Sequence, residues 1–175
     1  TEIYTLSLHD ALPILKQVLE ACKDPILEIA KREAQLSMYL FAGAGPALGA
    51  AEFGSAKVKE CSPDRAIAIQ MEEFHHYNSL KAGDPLFILA PDGFSVPRAL
   101  DTAKEGKGWG GRIYSIVNHN NHAFDEYSTA VIRMPDVPEE FSAFVYAIPA
   151  QMFGYSVAME KYRLAKENLS TERTT

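Results

Sequence analysis

A three-layer α/β/α domain on a five-stranded parallel sheet, doubly wound, is the fold that the sequence predicts, and three observations predict it. Five short strand signals alternate with helical spacings along 175 residues. One of those signals, Pro85-Leu-Phe-Ile-Leu-Ala90, is an unbroken apolar run of the kind buried on both faces of a sheet. Parallel neighbours need crossovers, the crossovers are right-handed, and helices on both faces follow.

Each element has its own signal. From Leu15 onward, apolar residues recur at Val18, Leu19, Ile26, Ile29 and Ala30. This helical spacing is interrupted at Asp24-Pro25, which predicts one broken helix or two short ones. The run Leu36-Ser-Met-Tyr-Leu-Phe-Ala42 reads as a strand that stops at Gly43-Ala-Gly45-Pro46. Pro46 suits a first helical position, and Ala50, Ala51, Phe53, Ala56 and Val58 carry a helix to Glu60, closed by Ser62-Pro63-Asp64. Arg65-Ala-Ile-Ala-Ile-Gln70 is the second strand and the Pro85 run the third. A helix from Val96 to Lys104 follows, and the glycine-rich residues 104–111 read as a mobile turn. Arg112-Ile-Tyr-Ser-Ile-Val117 and Thr129-Ala-Val-Ile-Arg133 are the fourth and fifth strands. The last helix, over residues 139–165, is apolar almost all round, with Phe141, Phe144, Val145, Ile148, Phe153 and Val157, and is therefore buried or part of an interface.

Composition narrows the function. The 23 acidic against 17 basic residues leave a net charge of −6 with no Lys/Arg stripe, so nucleic acid is not expected as a partner. The two cysteines, Cys22 and Cys61, have no metal-ligand or redox spacing, and no apolar run reaches the ~18 residues of a membrane span. A reduced, cytoplasmic protein with no membrane partner is expected. Residues 1–14 lack the regions of a signal peptide and look like a translated adaptor, hence a non-native or disordered leader before a domain of residues 15–175.

Gly43 to Glu60, GAGPALGAAEFGSAKVKE, is similar to the strand-exit turn and first helix of the second sugar isomerase (SIS) domain in the isomerase half of glucosamine-6-phosphate synthase. The shared pattern is a Gly-x-Gly-Pro turn and a helix that ends Lys-x-Lys-Glu, here Lys57-Val58-Lys59-Glu60. Pro149-Ala-Gln151 and Arg163-Leu-Ala-Lys166 extend the likeness toward the C-terminus. The resemblance implies a sugar-phosphate site in which a glutamate moves a proton between C1 and C2 while a histidine assists ring opening. It implies Glu60 and His76 as those catalytic residues, Lys57 and Lys166 as substrate-binding residues, and no cofactor or metal. Where the family often has Glu-Leu-Lys-His-Gly-Pro, this chain has Glu73-Phe-His-His76-Tyr-Asn, so that His75 stands beside His76.

The residues themselves support a carboxylate and a histidine working together, because enolisation needs a base near neutral pH and a second group to move ring-oxygen protons. Lys57 lies one helical turn before Glu60 and would hold it ionised. A solvated helix end is the plainer account of the same residues. Open α/β sheets bind ligands at the carboxyl ends of their strands, yet Glu60 is about 14 residues along its helix, roughly 21 Å from that end. The exit Ala90-Pro-Asp-Gly-Phe-Ser95 also lacks the hydroxyl-rich loop of a phosphate site, and Asp92 repels phosphate. Both points imply a composite site: this chain would be the C-terminal half of a double-SIS protein, its site completed by a missing N-terminal SIS domain and a homodimer partner. Isomerase and fructosamine-6-phosphate deglycase share the same enediol-type step.

Two alternatives use the same residues. A SIS domain can act as a non-catalytic sugar-phosphate sensor. Gly43-x-Gly45-x-x-x-Gly49 could serve as a dinucleotide turn, but its third glycine is one residue late, and Glu72 and Glu73 follow at too great a distance. The histidines of Glu72-Glu73-Phe-His-His76 and His119-Asn-Asn-His122 repeat no known metal-ligand spacing.

Overall fold

The computed structural model describes residues 8–77 and 80–172. Its sheet contains β1 (Met38–Gly43), β2 (Arg65–Gln70), β3 (Pro85–Ala90), β4 (Arg112–Asn118) and β5 (Ala130–Met134) in the order β2-β1-β3-β4-β5, every neighbouring pair parallel. The helices are α1 (Leu8–Glu33), α2 (Pro46–Cys61), α3 (Met71–Phe74), α4 (Val96–Gly108) and α5 (Ser142–Glu172), with a 3-10 turn, Glu139–Phe141, before the last.

Alternation along the strands sorts the side chains into two cores. Tyr39, Phe41, Phe87 and Tyr114 face α1, α2 and α5, whereas Leu40, Ala42, Leu86 and Ile88 face α3 and α4. This gives the expected three layers. Phe153 of α5 locks the first core: its ring lies 4.4 Å from that of Phe87 and 5.3 Å from that of Tyr39. At the rim of the sheet, the wholly buried Glu33 carboxylate accepts from Arg112 Nε at 2.6 Å and also from Arg112 Nη2 and the Tyr114 hydroxyl. The end of α1 is thereby tied to the start of β4.

Two expectations are corrected. Asp24-Pro25 does not break α1, which is continuous through Pro13 and Pro25. Val18, Cys22, Ile26, Ile29 and Ala30 are all buried along one face, and that packing offsets the hydrogen bond which Pro25 removes. Residues 104–108 are not a mobile turn but the end of α4, where Gly106 lets the helix lie close to β4: a Cβ there would stand 2.8 Å from Ile113 Cδ1. Of the leader, residues 1–7 lie outside the described residues. Residues 8–14 are helical within α1, and Ile14 packs against the core.

α2 and α5 cross on small residues. A Cβ on Gly54 would stand 2.7 Å from the Cβ of Ala150, and one on Gly154 would stand 3.0 Å from the backbone of Lys57 and Val58. Gly154 therefore sets the distance between α5 and the turn of α2 that carries Lys57.

Candidate functional site

The last turn of α2 presents Lys57 and Glu60 together. Lys57 Nζ donates to Glu60 Oε2 at 2.6 Å and lies 4.9 Å from the centre of the Phe53 ring. Val58 between them is buried, which turns Lys57 and Glu60 outward. The Lys57 side chain is 24% exposed and that of Glu60 59%, so the carboxylate is the reachable member of the pair. α2 runs antiparallel to the strands, and Glu60 consequently lies at the edge of the sheet where the strands begin.

The two adjacent histidines differ in setting. His75 is held against α4, with Nε2 at 3.1 Å from Thr102 Oγ1 and Nδ1 paired to the Glu105 carboxylate. His76 is 64% exposed, and its Nε2 is 3.6 Å from Glu72. Arg98 forks onto Glu72 with two contacts of 2.5 Å, and these bonds hold the Glu72 carboxyl below the usual carboxylate range. His75 is thus a packing residue and His76 the histidine open to a ligand.

The structure brings Lys57 and Glu60 together but does not bring His76 to them. α2 packs on one face of the sheet, while Met71 and Phe74, which lead to His76, belong to the core of the other face. Lys166 is on the exposed side of α5, beside a groove lined by Leu27, Tyr155, Met159 and Tyr162. It is 12 residues beyond Gly154, about 18 Å by helix rise.

A second groove, between α1, α2 and α5, joins these parts. Lys57, Cys61, Gln151 and Tyr155 bring polar atoms to a wall otherwise formed by Leu15, Leu19, Ile148 and Met152. Sequence reasoning noted Gln151 only as part of a motif and did not single out Cys61 or Tyr155. The signal was present: Gln151 and Tyr155 are spaced i,i+4 on one helix face, and Lys57 and Cys61 are spaced alike.

At the opposite edge of the sheet, the strand order reverses between β1 and β3, which makes the crevice where an open α/β sheet takes its ligand. Its walls are the β1–α2 turn, with Gly45 at φ 52°, and the β3–α4 turn, with Gly93. The Glu139 carboxylate lies between them: a Cβ on Gly93 would overlap it, and one on Gly45 would stand 3.8 Å from Oε1.

A five-stranded, all-parallel, doubly wound sheet is the fold of the sugar isomerase domains this chain resembles. A model of the SIS domain family matches residues 34–161, and the chain belongs to that family. The isomerizing glutamine–fructose-6-phosphate aminotransferase of Gluconobacter oxydans is 31% identical over 163 residues, 91% of this chain and 27% of that protein. Its counterpart in Pyrococcus horikoshii is 27% identical over 159 residues, 88% of this chain and 26% of that protein. The chain spans about a quarter of the length of the curated relatives it matches. The C-terminal domain of glucosamine-fructose-6-phosphate aminotransferase from Francisella tularensis superposes with a TM-score of 0.74 at 25% identity, over 85% of this chain and 42% of that one.

Proposed function

We propose that this SIS domain supplies the general base to a cytoplasmic sugar-phosphate isomerase or fructosamine-6-phosphate deglycase, at a site completed by another SIS domain and by the partner of a homodimer. The observation that carries the reading is the placement of Glu60: an outward carboxylate, hydrogen-bonded by Lys57, beside a groove with further polar groups and across the sheet from His76. The isomerizing character of the relatives supports it.

In this mechanism, the Glu60 carboxylate takes the proton from C2 of an open-chain aldose phosphate. The C–H electrons form the C1=C2 bond of an enediol as the carbonyl oxygen takes a proton from solvent, and Glu60 returns its proton at C1 while the C2 hydroxyl releases its proton to solvent and its oxygen becomes the carbonyl. Lys57 donates a hydrogen bond to the carboxylate and orients it for the first transfer. His76 of a partner subunit, with an imidazole suited to neutral pH, exchanges the ring-oxygen proton during opening. Lys166, on the outer face of α5, closes over the bound sugar. In the deglycase the same enediol-type step precedes loss of the amine.

The test is solvent deuterium incorporation at C1 of fructose 6-phosphate and at C2 of the aldose phosphate formed from it, followed by NMR, in the protein at its full native length. Glu60→Gln should lower the exchange rate more than ~100-fold with the fold intact. Exchange at the wild-type rate returns Glu60 to a solvated helix end. Tight binding of sugar phosphate with no exchange in wild-type protein would establish the sensing alternative, which Tyr77-Asn78 in place of Gly-Pro favours.

A further inference from the structure

The ligand crevice at the carboxyl ends of β1 and β3 is occupied by the chain itself. The Glu139 carboxylate rests against Gly93 so closely that no other residue fits there without displacing it, and its Oε1 faces the position of a Cβ on Gly45. The two turns it bridges lead into α2 and α4, helices of 16 and 13 residues whose first turns carry no acidic residue; the N-cap of α2 is Gly45, with no side chain to cap it, and the Ser95 side chain makes no capping bond to α4. Such helix starts favour a negative charge. Glu139 supplies one from a segment 46 residues beyond Gly93.

Two hydroxyls stand at helix starts of this domain. Ser95 is the N-cap of α4 and Ser142 is the first residue of α5. Among the described residues, their Oγ atoms are the buried side-chain polar atoms without a hydrogen-bond partner, and Ser142 is wholly buried.

We infer that Glu139 is an internal stand-in for a ligand anion: it closes this domain's own crevice and keeps phosphate out of it. The phosphate of a substrate must then be held elsewhere. The inference rests on the crevice alone and stands whether or not Glu60 is the base.

The experiment is a titration of the 175-residue chain with inorganic phosphate, followed by the amide NMR signals of Gly45, Gly93 and Ser95. Wild-type protein should show no saturable shift in the millimolar range. Glu139→Ala should gain a saturable site at these amides, at least about tenfold tighter than any wild-type binding. Glu139→Gln, which fills the same space without the charge, should fall between the two and serves if the alanine variant folds poorly. Wild-type binding as tight as that of the variants overturns the inference. So does a folded variant that gains nothing, or binding of the variant at amides outside the crevice.

Discussion

A Cβ built on Gly154 would stand 3.2 Å from the Cβ of Lys57, so α5 and α2 touch backbone to backbone beside the candidate base. A larger residue at 154 must push the helices apart and move the turn that ends in Glu60. Gly154→Val is therefore expected to cost about 1–3 kcal/mol, read as a lower urea midpoint with an unchanged m value. Under the proposed function the same variant should also weaken proton exchange, because Lys57 and Glu60 move with the helix.

Burial of Glu33 makes a different demand. Its side chain is 0% exposed, whereas that of its partner Arg112 is 32% exposed. Arg112→Ala leaves the carboxylate buried beside the Tyr114 hydroxyl and is expected to cost about 3 kcal/mol. The joint replacement Glu33→Leu with Arg112→Met, which removes both charges, should be far milder than the single change. Equal losses in the two proteins would show that Arg112 acts through packing of its stem.

The two thiols should be distinguishable in one assay. Cys61 is exposed; Cys22 is buried, and burial pushes its pKa from the ordinary 9.0 up to about 12. A disulfide reagent at mildly alkaline pH should modify Cys61 rapidly and Cys22 only after unfolding. The raised value means that the folded state holds the thiol proton more tightly. Its contribution is full below 9.0 and is lost as pH rises toward about 12. Cys22→Ala should remove that part of the alkaline loss of stability, measured as midpoint against pH.

Strands and crossovers were largely legible because each signal is local. Arg65–Gln70 and Pro85–Ala90 are short apolar runs between Pro, Gly and Asp residues, and the strands occupy those bounds. What was misread depends on distant partners. Pro25 continues a helix because buried neighbours on the same face hold it, and the glycines near residue 106 are helical because β4 lies against them. Within the site, the one-turn spacing of Lys57 and Glu60 was sufficient to pair them. The division between His75 and His76 depends on Thr102 and Glu105, 27 and 30 residues from His75 in sequence, and Glu139 reaches its crevice across a comparable gap.

That division can be measured. His75→Ala breaks contacts to two residues of α4 and should lower the melting temperature, with a cost of about 1–2 kcal/mol. His76→Asn should leave melting unchanged, since its exposed side chain makes a 3.6 Å approach to Glu72 at the surface. Under the proposed function, His76→Asn should slow turnover of a cyclic sugar phosphate much more than that of an open-chain analogue. Equal slowing of both would assign His76 to binding rather than ring opening.

The sheet that separates Glu60 from His76 has an arithmetic consequence for a two-fold assembly. Each chain would lend its carboxylate to one reaction centre and its imidazole to the other. Two inactive proteins, Glu60→Gln and His76→Asn, should then rescue each other when their subunits are exchanged. One centre of each mixed pair receives both defects and the other receives neither. Random re-pairing of equal amounts would restore about a quarter of wild-type turnover, and a chain carrying both substitutions, mixed with either single variant, would restore none.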